Sequence, residues 1–157
     1  MKKVNHKFFG ELDLEKGLEA EIDFENDLIV LWDKDVNEIN TTLWYDKNIP
    51  VKTEILDAFA DFLNRFDEYN KKARKALEKY LLEDNEYIVF HREEVELDLP
   101  ENAEKFVEFI KVTNIGLWLD GENGIIVDYM ISPEDTDEIL AVKFDYSLEI
   151  VDIAWES

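Results

Sequence analysis

The side chains of this chain that could do chemistry are mainly carboxylates. Glu94, Glu96 and Asp98 alternate in a segment that reads as extended, which would place all three on one face. Three carboxylates on one side could bind calcium or magnesium. The same alternation is typical of the solvated face of an edge strand, where charge prevents association with other edges. We favour the second interpretation, because carboxylates are so abundant here that their proximity in sequence says little.

Other signals of catalysis are missing from the sequence. The two histidines, His6 and His91, lie in no nucleophile or metal motif, and the chain has no cysteine. Neither a phosphate-binding glycine loop nor a nucleophile elbow occurs. We therefore predict no catalytic residue, no metal and no cofactor, and the sequence favours a protein that is not an enzyme.

The net charge is −22, from 39 acidic and 17 basic residues. It is concentrated in residues 83–157, where 21 acidic and 4 basic residues give −17. A field of this sign repels nucleic acid and anionic lipid, and it attracts a basic protein. A second interpretation, that the acidity only keeps the chain soluble, stays open. We predict a basic protein partner, no nucleic-acid partner and no membrane partner.

Trp118 is out of phase with Ile115, Leu117 and Leu119 in a predicted strand, so its indole would point to the opposite face. An exposed tryptophan often marks a binding hot spot, although helices covering that face would make it core. Acidic residues follow it in two turns. The predicted partner-binding residues are Trp118, Asp120, Glu122, Glu134, Asp135, Asp137 and Glu138.

A basic island, Lys71-Lys72-Ala73-Arg74-Lys75, stands out in the acidic chain. It could dock an anionic partner or the acidic half of a second copy. Local pairing with acidic residues three or four positions away on the same helix is the interpretation we favour. The sequence leaves the oligomeric state open.

The elements that position these residues fall into three segments. The first, about residues 6–46, predicts strands over 18–25, 28–32 and 41–45, with a further strand near 8–12. The second, about 51–83, has one helical stripe, and a break near Asn70 would make it two helices. The third predicts a short strand at 87–90, a helix at about 100–112 and four strands, 113–119, 125–131, 139–145 and 148–155. The glycines of 120–124 predict a hairpin turn, and in the last strand Val151, Ile153 and Trp155 should share one face.

The expected fold is α+β, with a mostly antiparallel sheet, a long helix or helix pair over 51–83 and a C-terminal four-stranded meander. The length fits one domain, 1–157. The longest apolar run is 28–32, which is too short for a signal peptide or a membrane helix. We therefore expect a cytoplasmic protein.

Two stretches resemble a known group of proteins. The opening Phe8-Phe9-Gly10-Glu11-Leu12-Asp13 is similar to the F-G-x-L start of several small bacterial proteins, and residues 131–145 and 153–157 look like the C-terminal signature of the same group. That group is an uncharacterised bacterial domain-of-unknown-function family (family number two thousand and four). The resemblance rests on strand and turn motifs, so it implies no activity and no functional residue. In size, charge and lack of a site the chain is also similar to immunity proteins, which neutralise a toxin encoded beside them.

Three hypotheses follow for function. The leading one is a non-enzymatic, acidic protein-binding module, with an immunity-type inhibitor of a basic toxin as its narrower form. The second is a metal-dependent hydrolase that uses Glu94, Glu96 and Asp98. The third is a structural protein that associates with itself through the basic island.

Overall fold

The structure is a computed structural model, and it describes residues 3–18, 22–23 and 27–157, with the backbone alone for 22–23. The chain begins with a hairpin of β1 (Lys3–His6) and β2 (Gly10–Asp13). The strands before the helices are β3 (Ile22–Asp23), β4 (Leu28–Val36) and β5 (Ile39–Asp46). The helices are α1 (Thr53–Asn64), α2 (Phe66–Glu83), α3 (Glu86–Val89), a π-helical turn (Phe90–Glu94) and α4 (Ala103–Val107). The last strands are β6 (Lys111–Leu119), β7 (Gly124–Met130), β8 (Ile139–Phe144) and β9 (Ile150–Glu156).

Strands β3 to β9 form one seven-stranded sheet in which the spatial order follows the chain order. Neighbouring strands are antiparallel except for β5 and β6, which run parallel. The helices occupy the long connection between these two strands, as a parallel pair requires. The sheet therefore consists of two antiparallel groups joined at β5 and β6, and the predicted α+β fold with its four-stranded C-terminal meander is confirmed.

The core lies between the helices and one face of the sheet. Phe62 of α1 packs edge-on against Phe144 of β8, with ring centroids 4.9 Å apart. Leu117 and Val127 from the central strands are fully buried in the same cluster. We call this the covered face of the sheet. Alternation along each strand sends the intervening residues to the other side, and no described helix packs there.

The helical stripe over 51–83 forms two helices, and the break falls at Arg65 rather than near Asn70. The Arg65 guanidinium bridges the break by pairing with Asp61 (3.0 Å) and Glu68 (2.7 Å). Asn70 lies inside α2, where its side chain accepts a hydrogen bond from the Tyr129 hydroxyl at 2.7 Å. A polar residue that looked like a helix breaker therefore anchors the helix to the sheet.

The predicted short strand at 87–90 is wrong, because these residues belong to α3 and the start of the π-helical turn. Tyr87, Ile88 and His91 are buried there, and Tyr87 packs on the rings of Phe106 and Trp155. Burial of one helical face thus overrides the strand preference of the local residues. The predicted helix over 100–112 is shorter than expected, and Asn102 caps its start by accepting from the Lys105 N–H at 3.1 Å.

The hairpin predicted at Asp120–Gly124 is confirmed. Gly121 and Gly124 have φ of 76° and 75°, and a Cβ on Gly124 would lie 2.4 Å from the Phe144 carbonyl oxygen. Glycine is therefore required at Gly124 by both conformation and space.

Two details of the predicted strands change. Leu18 is an exposed bend residue, and the remainder of the predicted strand 18–25 lies outside the described residues except for β3. In β9, a bulge falls where Lys143 pairs with Asp152 and Phe144 pairs with Ile150. Val151 was expected to share a face with Ile153 and Trp155, but the bulge leaves its side chain 55% exposed.

Candidate functional site

The face of the sheet opposite the helices brings together residues that are distant in sequence. Parallel pairing of β5 with β6 sets Trp44 beside Trp118, and Thr42 beside Gly116. Antiparallel pairing of β6 with β7 sets Asn114 beside Asp128. We call this surface the open face. Its residues include Val30, Asp33, Asp35, Asn40, Thr42, Trp44, Lys111, Asn114, Gly116, Trp118, Ile126, Asp128, Met130, Ile139, Ala141, Lys143, Asp152, Ala154 and Glu156.

A tryptophan pair lies at the centre of this face. The rings of Trp44 and Trp118 are stacked, with centroids 5.2 Å apart and planes inclined by 10°, and both side chains are half-buried. The indole of Trp118 lies over Gly116, because a Cβ at Gly116 would be 2.7 Å from Trp118 Nε1. The Nε1–H of Trp118 has no hydrogen-bond acceptor among the described residues. Glycine at 116 thus leaves room for the Trp118 indole over this position of β6.

Asp128 is the carboxylate nearest the middle of the open face, and it is half-buried. Burial, with a smaller contribution from the negative charge of Glu156, raises the pKa of Asp128 to about 6, although a hydrogen bond with Asn114 opposes the rise. None of the described ion pairs involves Asp128. The nearby ammonium of Lys143 instead donates to Asn123 Oδ1 at 2.9 Å. Asp128 therefore lacks a cationic partner within the described structure.

The open face is acidic overall. Asp128 is near its centre, Asp33 and Asp35 are on β4 at one side, and Asp152 and Glu156 are on the edge strand β9 at the other. Among the open-face residues defined above, Lys111 and Lys143 are the two basic side chains. Exposed polar groups thus surround a partly apolar centre, an arrangement that is common in protein interfaces.

The predicted partner-binding residues do not form one cluster. Trp118 lies on the open face as its phase predicted, while Asp120 and Glu122 are in the β6–β7 turn and Glu134, Asp135, Asp137 and Glu138 are in the β7–β8 connection. These two connections are at opposite ends of β7, which is about 20 Å long. The acidic turns therefore flank the open face at its two ends, and each turn could contact only one end of a partner.

Three of these acidic residues also support the local structure. Burial opposes the ionisation of Asp120, but hydrogen bonds from the N–H groups of Asn123 and Glu122 outweigh it and lower the pKa of its carboxyl. Asp135 accepts from the Ser132 hydroxyl at 2.5 Å. Glu138 accepts from Trp155 Nε1 at 2.5 Å. Glu122, Glu134 and Asp137 are exposed, which makes them the predicted acidic residues best placed to meet a partner.

The segment of Glu94, Glu96 and Asp98 does not have the extended conformation that both interpretations of it, an edge strand and a metal site, assumed. Glu94 ends the π-helical turn, and Glu96 has a positive φ of 59°, so Glu94, Glu96 and Asp98 do not lie on one face of an extended strand. Among the described residues, no group of three or more histidine or carboxylate side chains is arranged to hold a metal ion. The geometric basis for the proposed calcium or magnesium site is therefore wrong.

His6 supports the fold rather than offering a free base. Its Nδ1 accepts from the Phe8 N–H at 3.1 Å, so Nε2 carries the proton and donates to Asp57 Oδ1 at 2.7 Å. The ring is 7% exposed. Both nitrogens are therefore engaged in tying the β1–β2 hairpin to α1.

His91 is fully buried. Its Nδ1–H donates to the Tyr87 carbonyl oxygen at 2.8 Å, and Nε2 has no partner among the described residues. Burial lowers the pKa of the imidazole, although the Tyr87 carbonyl and the charge of Glu138 oppose the shift. Because aromatic rings of Tyr87, Phe90 and Phe106 surround it, His91 cannot reach a substrate in this conformation.

Sequence reasoning missed Trp44, Asn114 and Asp128 as members of the same surface. One signal was available: Asp128 is the single charged residue between apolar neighbours in the run from Ile125 to Ile131. The alignment of Trp44 with Trp118 had no local signal, because it depends on the register between β5 and β6.

No protein-family model, no curated protein and no solved structure matches this chain. Within the part of the chain that the structure describes, no helix has both the length and the apolar character needed to cross a membrane. The family resemblance of the opening and closing residues stays an expectation.

Proposed function

We propose that the chain is a non-enzymatic, acidic protein-binding module that receives a basic protein on its open face. The observation that carries the proposal is the composition of that face: a stacked tryptophan pair beside Asp128, a half-buried carboxylate with no described cationic partner. Tryptophan supplies apolar contact area at interfaces, while surrounding carboxylates favour a positive partner.

The distribution of charge also supports a basic partner on the open face. Residues 83–157 carry −17, and the exposed carboxylates Glu122, Glu134 and Asp137 lie in the turns at the two ends of the open face. A basic protein approaching the open face would first meet the acidic groups at the margins of that face, and this attraction accelerates association. A solubilising role alone would not require a tryptophan pair among the carboxylates.

An immunity-type inhibitor, which blocks a basic toxin, is the narrower form of this proposal. It rests on the size and acidity of the chain. The hydrolase hypothesis has no comparable support, since its three carboxylates do not share a face. Self-association through the basic island on α2 is tested by sedimentation at two salt concentrations, where a monomer at both contradicts it.

The test is retention of proteins from a native lysate on immobilised chain, followed by elution with salt. The variant neutralises five acidic residues of the open face: Asp33→Asn, Asp35→Asn, Asp128→Asn, Asp152→Asn and Glu156→Gln. The matched control makes the same charge change at five exposed acidic residues elsewhere: Glu54→Gln, Asp67→Asn, Glu93→Gln, Glu94→Gln and Glu104→Gln.

We expect a discrete basic protein to be retained at low salt by the native chain and by the control. The open-face variant should lose it, although both variants have the same net charge. Equal loss from both variants would show that only overall charge matters and would contradict a specific face. Absence of any retained basic protein at low salt would count against the proposal as a whole.

A further inference from the structure

We propose that the centre of the open face is an arginine-binding site, in which a partner's guanidinium group stacks on the Trp118 indole and pairs with the Asp128 carboxylate. This inference rests on the proposed function and names the chemistry of the anchoring contact. Its basis is the placement of an aromatic ring and an uncompensated carboxylate on adjacent strands of one face. Trp44 on β5 stacks on one side of the Trp118 ring, so the side towards β7 is the one that a guanidinium would contact.

The register places the two groups within reach of one side chain. The Trp118 indole lies over Gly116, and Gly116 pairs with Ile126 on β7. Asp128 is the next residue of β7 on the same face, about 7 Å further along the strand. A guanidinium on its four-atom stem can therefore contact the ring and the carboxylate together.

Small residues lie beside Asp128 on the β8 side, whereas Ile126 and Met130 flank it along β7. Ala141 pairs with Asp128 from β8, and Ala154 pairs with Ala141 from β9. On the β6 side, Asn114 lies directly opposite Asp128, and the Trp118 indole covers Gly116. A planar group can therefore approach the carboxylate from the β8 side, over the two alanines.

Acidic side chains around Asp128 favour a bound cation, and no described basic side chain is paired with its carboxylate. The titratable side chains that face Asp128 from neighbouring strands are Lys111 of β6, Lys143 of β8, and Asp152 and Glu156 of β9. Lys143 is held by Asn123, and Lys111 is exposed at the start of its strand. The two acidic side chains add to the negative potential at Asp128.

Arginine fits this site better than lysine. Its guanidinium is planar, forms two parallel hydrogen bonds with a carboxylate and stacks on an aromatic ring. An ammonium group can supply the charge but not the planar contact. Asn114 lies opposite Asp128 on β6, and the carboxylate keeps lone pairs for the ligand.

The test compares two probes of equal charge, a hexapeptide of arginine and a hexapeptide of lysine, titrated into the full chain. Affinity is followed by tryptophan fluorescence and by calorimetry at pH 6 in two buffers of different ionisation enthalpy. The variants are Trp118→Leu and Asp128→Asn, and the matched control is Asp152→Asn, which makes the same charge change on the same face.

We expect the native chain to bind the arginine peptide about tenfold more tightly than the lysine peptide, as one added bidentate, stacked contact would give. Trp118→Leu and Asp128→Asn should each reduce this ratio towards one, whereas Asp152→Asn should weaken both peptides alike. Binding should also release about half a proton per chain at pH 6 from the native chain but none from Asp128→Asn, because the carboxyl is about half protonated at this pH and a cation favours its ionised form.

Equal affinities for the two peptides would overturn the arginine site. If such binding is still lost in the five-residue open-face variant, the proposed function survives without it. An arginine preference that persists in Asp128→Asn would also overturn the assignment. Failure of both peptides to bind overturns the arginine site and removes support from the acidic face as a receptor.

Discussion

The covered and open faces of the sheet are built from the same strands but have different compositions. On the covered face, Leu117, Val127 and Val142 are fully buried against helices. On the open face, the intervening residues include a tryptophan pair, Asp128, Asn114 and Lys143. A strand that packs on a core on one side can vary its other side with little cost to stability, so function is most easily placed there.

Polar groups also differ between the faces. On the covered side, the Tyr129 hydroxyl donates to Asn70 at 2.7 Å and the Tyr87 hydroxyl donates to the Glu138 carbonyl oxygen at 3.0 Å, although His91 Nε2 is buried there without a described partner. On the open side, the half-buried Asp128 carboxylate has no described cation. The hydrogen bonds of the covered side hold the fold together, whereas a carboxylate without a cation can still accept from a ligand.

The largest difference between the faces should appear when apolar side chains are truncated. Leu117→Ala should lower the free energy of unfolding by about 3 kcal/mol, because it leaves a cavity under the helices. Ile126→Ala, on the open face of the neighbouring strand, should cost about 1 kcal/mol, because its half-buried side chain loses less apolar contact. Urea denaturation measures both. Similar losses at the two positions would show that the open face is packed like a core.

A gain in stability is expected from Asp128→Asn. The pKa of Asp128 is raised from 3.8 to about 6 in the folded chain, so the folded state binds more protons and ionisation opposes folding. The stabilising effect of protonation is fully present below pH 3.8 and is lost as pH rises through about 6. The substitution should raise the free energy of unfolding by about 1–2 kcal/mol at pH 7, allowing for partial exposure.

The same comparison provides a control for that prediction. Asp128→Asn should have little effect on stability at pH 3.5, where the native carboxyl is already protonated in the folded chain. Asp152→Asn removes an exposed charge from the same face and should show a much weaker dependence on pH. Denaturation at a series of pH values checks this, and a pH-independent gain from Asp128→Asn would show that relief of burial is not its cause.

Removing one hydroxyl group should change the free energy of unfolding differently on the two faces, by a smaller amount than the substitutions above. Tyr129→Phe should destabilise the chain by about 1 kcal/mol, because it removes the bond to Asn70 that joins β7 to α2. Thr42→Val on the open face should be close to neutral, since no described hydrogen bond uses the Thr42 hydroxyl. Thermal unfolding of both variants is the measurement. A larger loss from Thr42→Val would contradict the division of polar roles.

A small effect on stability is expected at Gly116, where the main change should instead be spectroscopic. A Cβ at this position would lie 2.7 Å from Trp118 Nε1, so Gly116→Ala should move the indole away from Trp44. Stability should change by less than about 1 kcal/mol, because the displaced ring is at the surface. Near-ultraviolet circular dichroism should lose the signal of the stacked pair. An unchanged spectrum would mean that the stack does not depend on Gly116.

Patterns within single elements were readable from the sequence. Alternation in the last four strands predicted the meander, and the phase of Trp118 against Leu117 and Leu119 predicted its side of the sheet. The glycines of the 120–124 turn predicted a hairpin. These signals are local, because the repeat of a strand and the conformational demands of a turn involve residues only a few positions apart.

Errors arose where packing over long distances overrode local preference. The apolar run from Tyr87 to Phe90 favours a strand by composition, yet burial of Tyr87, Ile88 and His91 makes it helical. The sequence suggested a helix break near Asn70, but this residue lies inside α2 and accepts a hydrogen bond from Tyr129, 59 residues later in the chain. The predicted shared face of Glu94, Glu96 and Asp98 is absent, because the segment is not extended.

The sequence by itself determined the class of fold, the strands of the C-terminal sheet and the excess of negative charge. Only the tertiary structure decided which face of the sheet stays free of described helices and which side chains meet on it. Trp44 and Trp118 become neighbours through the parallel pairing of β5 with β6, across a connection that contains every described helix. Such contacts depend on how the helices bury one face of the whole sheet, and no short stretch of sequence encodes that choice.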